Sequence, residues 1–123
     1  MRYLLDANSV IFALTGHSRL LDRFARCDEG DLGVSAIVFA EVALGTARGK
    51  APPPTVLDAF LEEVLLLPFD EAAAREYAKL PFRRGSFDRL IAAHTLALDL
   101  TLITNNEADF ADIPGLKTEN WTL

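Results

Sequence analysis

The sequence alternates short apolar runs with longer segments of helical periodicity, and this alternation restricts the possible folds more than any other feature. The apolar runs are too short for helices and are bounded by turn residues, so they predict strands. They lie at residues 2–5, 32–34, 64–67 and 101–104, and residues 117–118 are predicted to form a last edge strand. Strands that alternate with helices are typical of a parallel sheet. We therefore expect one three-layer α/β domain over residues 1–123. Its central parallel sheet would have four to five short strands, with helices on both faces.

Helices are predicted from apolar spacing and from residues that favour helix ends. Ser35 is placed to cap a helix that contains Glu41, and Asp70 is placed to cap a later one. Residues 81–85 are predicted to form a loop before Ser86 opens another helix. The apolar face of that helix is predicted to hold Phe87, Leu90, Ile91, His94 and Leu98. Because His94 shares a stripe with apolar side chains, we interpret it as a packed, hydrogen-bonded histidine rather than a general base.

Composition excludes several classes of protein. The net charge of −6 at pH 7 argues against a passive nucleic-acid coat, which is normally basic, but it permits a nuclease whose acids form its metal site. Cys27 is the only cysteine, so neither a disulfide framework nor a cysteine metal cluster is expected. No apolar run approaches the roughly 20 residues of a membrane span, and Asp6 comes too early for a signal peptide. We expect a cytoplasmic protein with no membrane contact.

Three carboxylates stand where the local sequence favours apolar or neutral residues: Asp6, Glu41 and Asp88. Glu41 is the only charged residue between Asp31 and Arg48, so its surroundings predict a buried helix interrupted by one acid. An unpaired carboxylate there costs several kcal/mol or takes up a proton. Three converging acids also repel one another unless a divalent cation neutralises them. This pattern indicates metal-dependent phosphate chemistry.

The positions of these acids fit the predicted sheet. Asp6 and the pair Asn105-Asn106 each follow directly on a predicted strand. In parallel α/β sheets the ligand site lies beyond the carboxyl ends of the strands. We therefore expect these side chains to lie near the site.

Taken in order along the chain, several segments resemble the PIN-domain ribonucleases of the VapC type, the toxin halves of bacterial toxin–antitoxin pairs. The matching segments are Leu4–Asn8, Ser35–Val42, Asp88–His94, Thr104–Phe110 and Gly115–Trp121. The resemblance implies a PIN-like fold and Mg²⁺- or Mn²⁺-dependent endonuclease activity on structured RNA such as tRNA or rRNA. It also implies inhibition by a cognate antitoxin and a homodimer.

By position, the resemblance assigns catalytic and metal-binding roles to Asp6, Glu41 and Asp88. The family often has a fourth acid about where Asn106 stands in this chain. Asn106 would then ligate the metal directly, act through water, or leave the role to Asp109. Asn8 would orient a neighbouring ligand or contact the substrate, although an ordinary turn hydrogen bond explains it equally well.

Each acid also has a plainer interpretation. Asp6 is a suitable helix cap, worth about 1 kcal/mol. Asp88 in a first helical turn complements the helix dipole for about 0.3–1 kcal/mol. Glu41 could form a buried pair with an arginine, and Asp109 could stabilise a turn. Only the set of acids together favours a metal site.

Two local concentrations of basic residues could hold an RNA backbone: Arg83-Arg84 with Arg89, and Arg48 with Lys50. Solvated surface charge is the commoner meaning of such pairs.

Two other functions remain open. A catalytically idle PIN-like module could bind a DNA-binding partner in transcriptional autoregulation. An aspartyl-phosphate phosphohydrolase could use Asp6 as its nucleophile, but the second aspartate usual two positions later in such enzymes is Asn8 here. The phosphate-loop motif of nucleotide hydrolases is absent.

Overall fold

The computed structural model describes residues 1–84 and 86–123, and within them a five-stranded parallel sheet lies between helices. The strands are β1 (Tyr3–Leu5), β2 (Leu32–Ser35), β3 (Leu65–Leu67), β4 (Thr101–Ile103) and β5 (Lys117–Glu119). The helices are α1 (Ala7–Leu14), α2 (Ser18–Ala25), α3 (Ala36–Ala47), α4 (Pro54–Glu63), α5 (Glu71–Ala78) and α6 (Phe87–Ala97). A short 3₁₀ helix spans Glu107–Phe110. The predicted loop has no helix or strand at residues 81–84, and Gly85 lies outside the described residues.

The strand order is β3-β2-β1-β4-β5, with every neighbouring pair parallel. The predicted α/β class, with four to five parallel strands and helices on both faces, is confirmed. The chain builds outward from β1 to β3 and then returns to the other side of β1. This reversal leaves a crevice between the carboxyl ends of β1 and β4, which is where such sheets bind ligands.

The sheet register aligns the strand ends that border this crevice. Leu5 lies opposite both Val34 and Ile103. All three side chains are at most 1% exposed, so the strands are fixed by apolar packing at the level just below the crevice. The residues that follow these strands therefore emerge at one height.

Trp121 packs into the apolar core. Its side chain is buried and lies edge-on to Tyr3 and Phe24, with ring centroids 4.8 and 6.1 Å away. Its indole N–H donates to Glu119 at 2.9 Å, so the only polar atom of the ring is satisfied.

Two predictions about helix burial are wrong. The helix around Glu41 was expected to be buried, but α3 packs on one side only: Val38 and Val42 are buried while Leu44 is 53% exposed. Helix α6 was expected to have an apolar stripe, but five consecutive residues, 91–95, are buried and Phe87 is 57% exposed. The reason is that α5, β4 and α3 all contact α6, so it is covered around its circumference rather than along one face.

None of the described helices combines the length and the apolar character that crossing a membrane requires.

Candidate metal centre

Asp6 lies at the start of the crevice because it links β1 to α1. Its Oδ1 accepts a hydrogen bond from the Ser9 N–H at 2.8 Å, so the capping interpretation is correct. Its backbone N–H and the Ser9 hydroxyl both donate to the Ile103 carbonyl, at 3.0 and 3.1 Å. These bonds tie the helix start to β4 and hold the Asp6 carboxylate in one orientation. Because the capping hydrogen bond uses Oδ1, the Oδ2 atom of the same carboxylate can take a second role.

Glu41 lies in the middle of α3 with its side chain half-buried. Its Oε1 is buried and has no hydrogen-bond partner among the described residues, where no ion pair to an arginine is found either. Glu41 instead shares a cavity of about 230 Å³ with Arg48 and Lys50. A buried carboxylate oxygen without a partner is costly, and this one requires an explanation.

The acids of the site act on one another electrostatically. Burial raises the pKa of Glu41 above its usual value, and the negative charges of Asp88 and Asp6 raise it further. Burial likewise raises the pKa of Asp88, with Asp109 and Asp6 adding to the effect. The fold therefore brings Asp6 and Asp88 near Glu41, and Asp6 and Asp109 near Asp88, although these acids come from four separate parts of the chain.

A divalent cation fits this donor set, although no cage is preformed. In the described part of the chain, no three acidic, histidine or cysteine side chains already surround a common point at coordinating distance. The donors present are carboxylate oxygens, which Mg²⁺ prefers. Mg²⁺ keeps several of its own waters and needs only one or two carboxylates directly, so a complete protein cage is not required. An ion would also supply the partner that Glu41 Oε1 lacks.

The polar side chains after β4 form a small network at the same edge of the sheet. The Asn106 side-chain amide donates to Asp109 Oδ2 at 2.6 Å, and its backbone N–H donates to Thr104 Oγ1 at 3.0 Å. The Asn8 amide donates to the Asn105 side-chain oxygen at 3.4 Å. Asn8 thus bridges the ends of β1 and β4, while Asn106 is bonded to the fourth acid.

Comparison with known proteins agrees with this geometry. The sequence profile of the PIN domain matches residues 3–116. This chain belongs to the PIN-domain family. It is 31% identical to Ribonuclease VapC2 of Rickettsia felis, over 98% of each chain. It is 27% identical to the tRNA(fMet)-specific endonuclease VapC of Shigella flexneri, over 99% of each chain. Its fold is similar to a chain in the crystal structure of VapBC2 from Rickettsia felis bound to a DNA fragment from their promoter. That comparison has a TM-score of 0.88 at 30% identity and covers 98% of this chain and 99% of that one.

A buried hydrogen bond joins the two helices that carry acids in this PIN domain. Ser35 caps α3 by accepting from the Ile37 N–H at 3.1 Å, and its hydroxyl also lies 2.9 Å from His94 Nδ1 on α6. Burial lowers the pKa of His94, an effect that Asp70 opposes, and the ring lies edge-on to Phe69. The interpretation of His94 as a packed, hydrogen-bonded residue is confirmed. Its partner could not be recognised from the sequence, because Ser35 lies 59 positions away.

Arg89 differs from its prediction as a surface cation beside Arg83 and Arg84. Its side chain is 2% exposed and donates to Asp112 Oδ2 at 2.6 Å, so it is not available to an RNA backbone. Arg89 is the residue after Asp88, and it links α6 to Asp112. Asp112 lies in the segment that follows the 3₁₀ helix containing Asp109. Sequence reasoning missed this pair, since an arginine directly after an aspartate gives no sign of burial.

Proposed function

We propose that this chain is the toxin of a VapC-type toxin–antitoxin pair and acts as a Mg²⁺- or Mn²⁺-dependent endoribonuclease. The observation that carries the proposal is the buried, unpartnered Oε1 of Glu41, whose pKa is raised by burial and by the negative charges of Asp88 and Asp6. Such an arrangement destabilises the protein unless a cation compensates it. The two relatives named as an endonuclease and a ribonuclease support RNA as the substrate.

Asp6, Glu41 and Asp88 would hold the ion, assisted by Asp109. The chemistry that such an ion supplies is polarisation of the scissile phosphate and a lower pKa for the attacking water. The hydrogen bond from the Ser9 N–H fixes the Asp6 side chain. Its other carboxylate oxygen could therefore bind the ion with little further loss of side-chain entropy. The hydrogen bond from Asn106 orients the Asp109 carboxylate in the same way. Asn8 would contact the substrate or, through its hydrogen bond to Asn105, stabilise the segment that follows β4.

The RNA backbone would be held by cations at two places around the acids. Arg48 and Lys50 line the cavity that contains Glu41. Arg83 and Arg84 are exposed, and the positive charge of Arg83 opposes the rise in the pKa of Asp88, so Arg83 lies near the site. Phosphates would occupy these positions as they approach the metal centre.

The antitoxin would occupy a separate apolar groove. This groove has a volume of about 680 Å³ and is lined by α1, α2 and α4, with Leu14, Phe24 and Phe60 among its apolar side chains. Its acidic lining residues are Asp28, Glu29, Glu62 and Glu63. An amphipathic segment with basic flanks would complement both features. The likeness to a solved VapBC2 assembly supports an antitoxin partner.

A homodimer remains part of the proposal. The edge strand β3 exposes Leu65 and Leu66, at 53% and 45%. Exposed apolar side chains on an edge strand are commonly covered by another chain. Light scattering of the purified protein would give the number of subunits directly.

The deciding experiment incubates the purified, antitoxin-free protein with total RNA and Mg²⁺ or Mn²⁺. We expect discrete fragments that disappear in EDTA and in the variant Asp88→Asn. Asp58→Asn, an exposed acid of α4, is the matched control and should cleave normally. Intact RNA from a folded wild-type protein would refute the nuclease.

The second candidate function is a catalytically idle module that binds its partner and helps it repress transcription. The observation that favours it is Asn106, which stands where relatives often carry an acid and whose amide is already bonded to Asp109. The same RNA incubation separates the two functions, because the idle module leaves RNA intact while still binding the antitoxin.

A further inference from the structure

Two phenylalanines beside the acidic site are exposed to solvent. Phe82 is 79% exposed and Phe87 is 57% exposed, whereas the other phenylalanines of the chain are buried or half-buried. Between them lie Arg83 and Arg84, both exposed. We refer to Phe82, Arg83, Arg84 and Phe87 as the aromatic–arginine patch. Exposed aromatic rings among cations contribute nothing to the core, so a role in binding is the better explanation.

The patch lies next to Asp88 along the chain, and its Arg83 is near the candidate metal centre. Phe87 immediately precedes Asp88, and Phe82 lies within roughly 21 Å of Asp88 even if the intervening chain is fully extended. Arg83 is close enough for its charge to act on both Asp88 and Asp112. A ligand on the patch would therefore reach the acids.

The combination of residues indicates which ligand this is. Arginine side chains attract phosphates, and flat aromatic rings stack on nucleobases, which is how proteins bind single-stranded nucleic acid. Bases inside a duplex are already stacked and offer no free face to a phenylalanine. A chain with a net charge of −6 also needs a local cationic surface to hold any RNA.

We propose that the aromatic–arginine patch binds unpaired nucleotides next to the scissile bond, with Phe82 and Phe87 stacking on bases and Arg83 and Arg84 contacting phosphates. The proposal rests on the nuclease function and deepens it, since it assigns substrate-positioning residues outside the acidic site. The patch would select RNA whose bases are free at the cleavage position.

The test measures binding in EDTA, so that it is independent of cleavage. The probes are a fluorescent oligoadenylate of about 12 nucleotides and an oligomer of the same length whose positions are abasic. Fluorescence anisotropy then gives the Kd of each variant at several salt concentrations. The variants are Phe82→Ala, Phe87→Ala, Phe87→Tyr, Arg83→Gln and Arg84→Gln.

Aromatic and cationic residues should respond differently. Phe82→Ala and Phe87→Ala should weaken binding of oligoadenylate between about five-fold and a hundred-fold each, and leave binding of the abasic oligomer unchanged. Phe87→Tyr should restore the affinity, because tyrosine keeps the flat ring. Arg83→Gln and Arg84→Gln should weaken binding of both probes and reduce the salt slope by about 0.7 each. Leu98→Ala and Arg26→Gln, at exposed positions elsewhere, are the matched controls and should change nothing.

Several results would overturn the proposal. Equal affinity of the phenylalanine variants and wild type would show that the rings do not stack, even if RNA is still cleaved, so the nuclease would stand without the patch. A change in molecular mass confined to the phenylalanine variants would assign the patch to contacts between protein chains. Failure of the wild type both to bind and to cleave RNA would refute the patch and the nuclease together.

Discussion

Replacing Glu41 with glutamine should make the metal-free protein more stable. The substitution keeps the shape of the side chain but removes a charge whose Oε1 is buried without a partner. A neutral polar atom in that state costs about 1–3 kcal/mol and a charged one costs more, and glutamine removes only the extra cost of the charge. Because the Glu41 side chain is only half-buried, solvent screening places the gain at the lower end, about 1 kcal/mol. In a domain of this size that corresponds to a rise of about 4 °C in Tm.

The pH dependence of this gain follows from the raised pKa values. Burial raises the folded-state pKa of Glu41 above the ordinary 4.5, and that of Asp88 above the ordinary 3.8. The unfolded chain therefore releases these protons at lower pH than the folded chain does. The free energy of unfolding falls as pH rises through this interval and stays low above it. The advantage of Glu41→Gln should thus be complete at pH 7 and disappear where Glu41 is protonated in both states.

Thermal unfolding in EDTA and in Mg²⁺, at pH 7 and at pH 4, measures each of these effects. An ion present at about ten times its Kd should stabilise the wild type by about 1.4 kcal/mol. Glu41→Gln should lose most of that gain, while Glu62→Gln, at an exposed position of α4, should behave as the wild type. A Glu41→Gln protein that is less stable than wild type in EDTA would refute the reasoning, because Glu41 would then be a structural partner rather than an uncompensated charge.

Further variants separate positioning from chemistry. Asp6→Asn should abolish cleavage with little loss of stability, since asparagine caps helices well, whereas Asp6→Ala should abolish cleavage and also cost about 1 kcal/mol in a denaturant titration. Ser35→Ala should cost about 1–3 kcal/mol by removing a cap and leaving His94 without its partner, and equal stability of this variant and wild type would contradict the importance of that bond. Asp112→Asn should lower the Tm at neutral pH and make the Tm fall less steeply in acid. The hydrogen bond from Arg89 lowers the pKa of Asp112 below its ordinary 3.8. The stabilisation by this pair is therefore present above pH 3.8 and is lost as the pH falls through the lowered pKa. An unchanged acid profile would show that the pair does not couple to folding.

The strands and the acids could be predicted because their signals are local. Strands β1 to β4 are short, largely apolar runs, whereas β5 is polar, and the position of Asp6 after β1 follows from the sequence alone. The parallel strand order places the carboxyl ends of the strands at one edge of the sheet. The convergence of Asp6 with Glu41 of α3 and Asp88 of α6 therefore follows from the topology rather than from any single motif.

Burial and pairing could not be predicted because they depend on distant parts of the chain. Periodicity placed Phe87 on a buried face, yet its side chain is 57% exposed, while Arg89 in the same turn is buried. The partners of His94 and Arg89 lie 59 and 23 positions away. A sequence pattern shows which side chains can form hydrogen bonds, but only the fold shows which donor meets which acceptor.

The fourth position of the site shows how the structure changes a question that the sequence poses. The sequence sets Asn106 and Asp109 against each other as alternatives, because only one of them carries a charge. In the fold the Asn106 amide donates to the Asp109 carboxylate, and Asp109 is close enough to raise the pKa of Asp88. An amide that orients a carboxylate adds no repulsion, whereas a second acid at position 106 would place two negative charges within hydrogen-bonding distance. Between these two residues the negative charge comes from Asp109, and the asparagine is compatible with a metal centre.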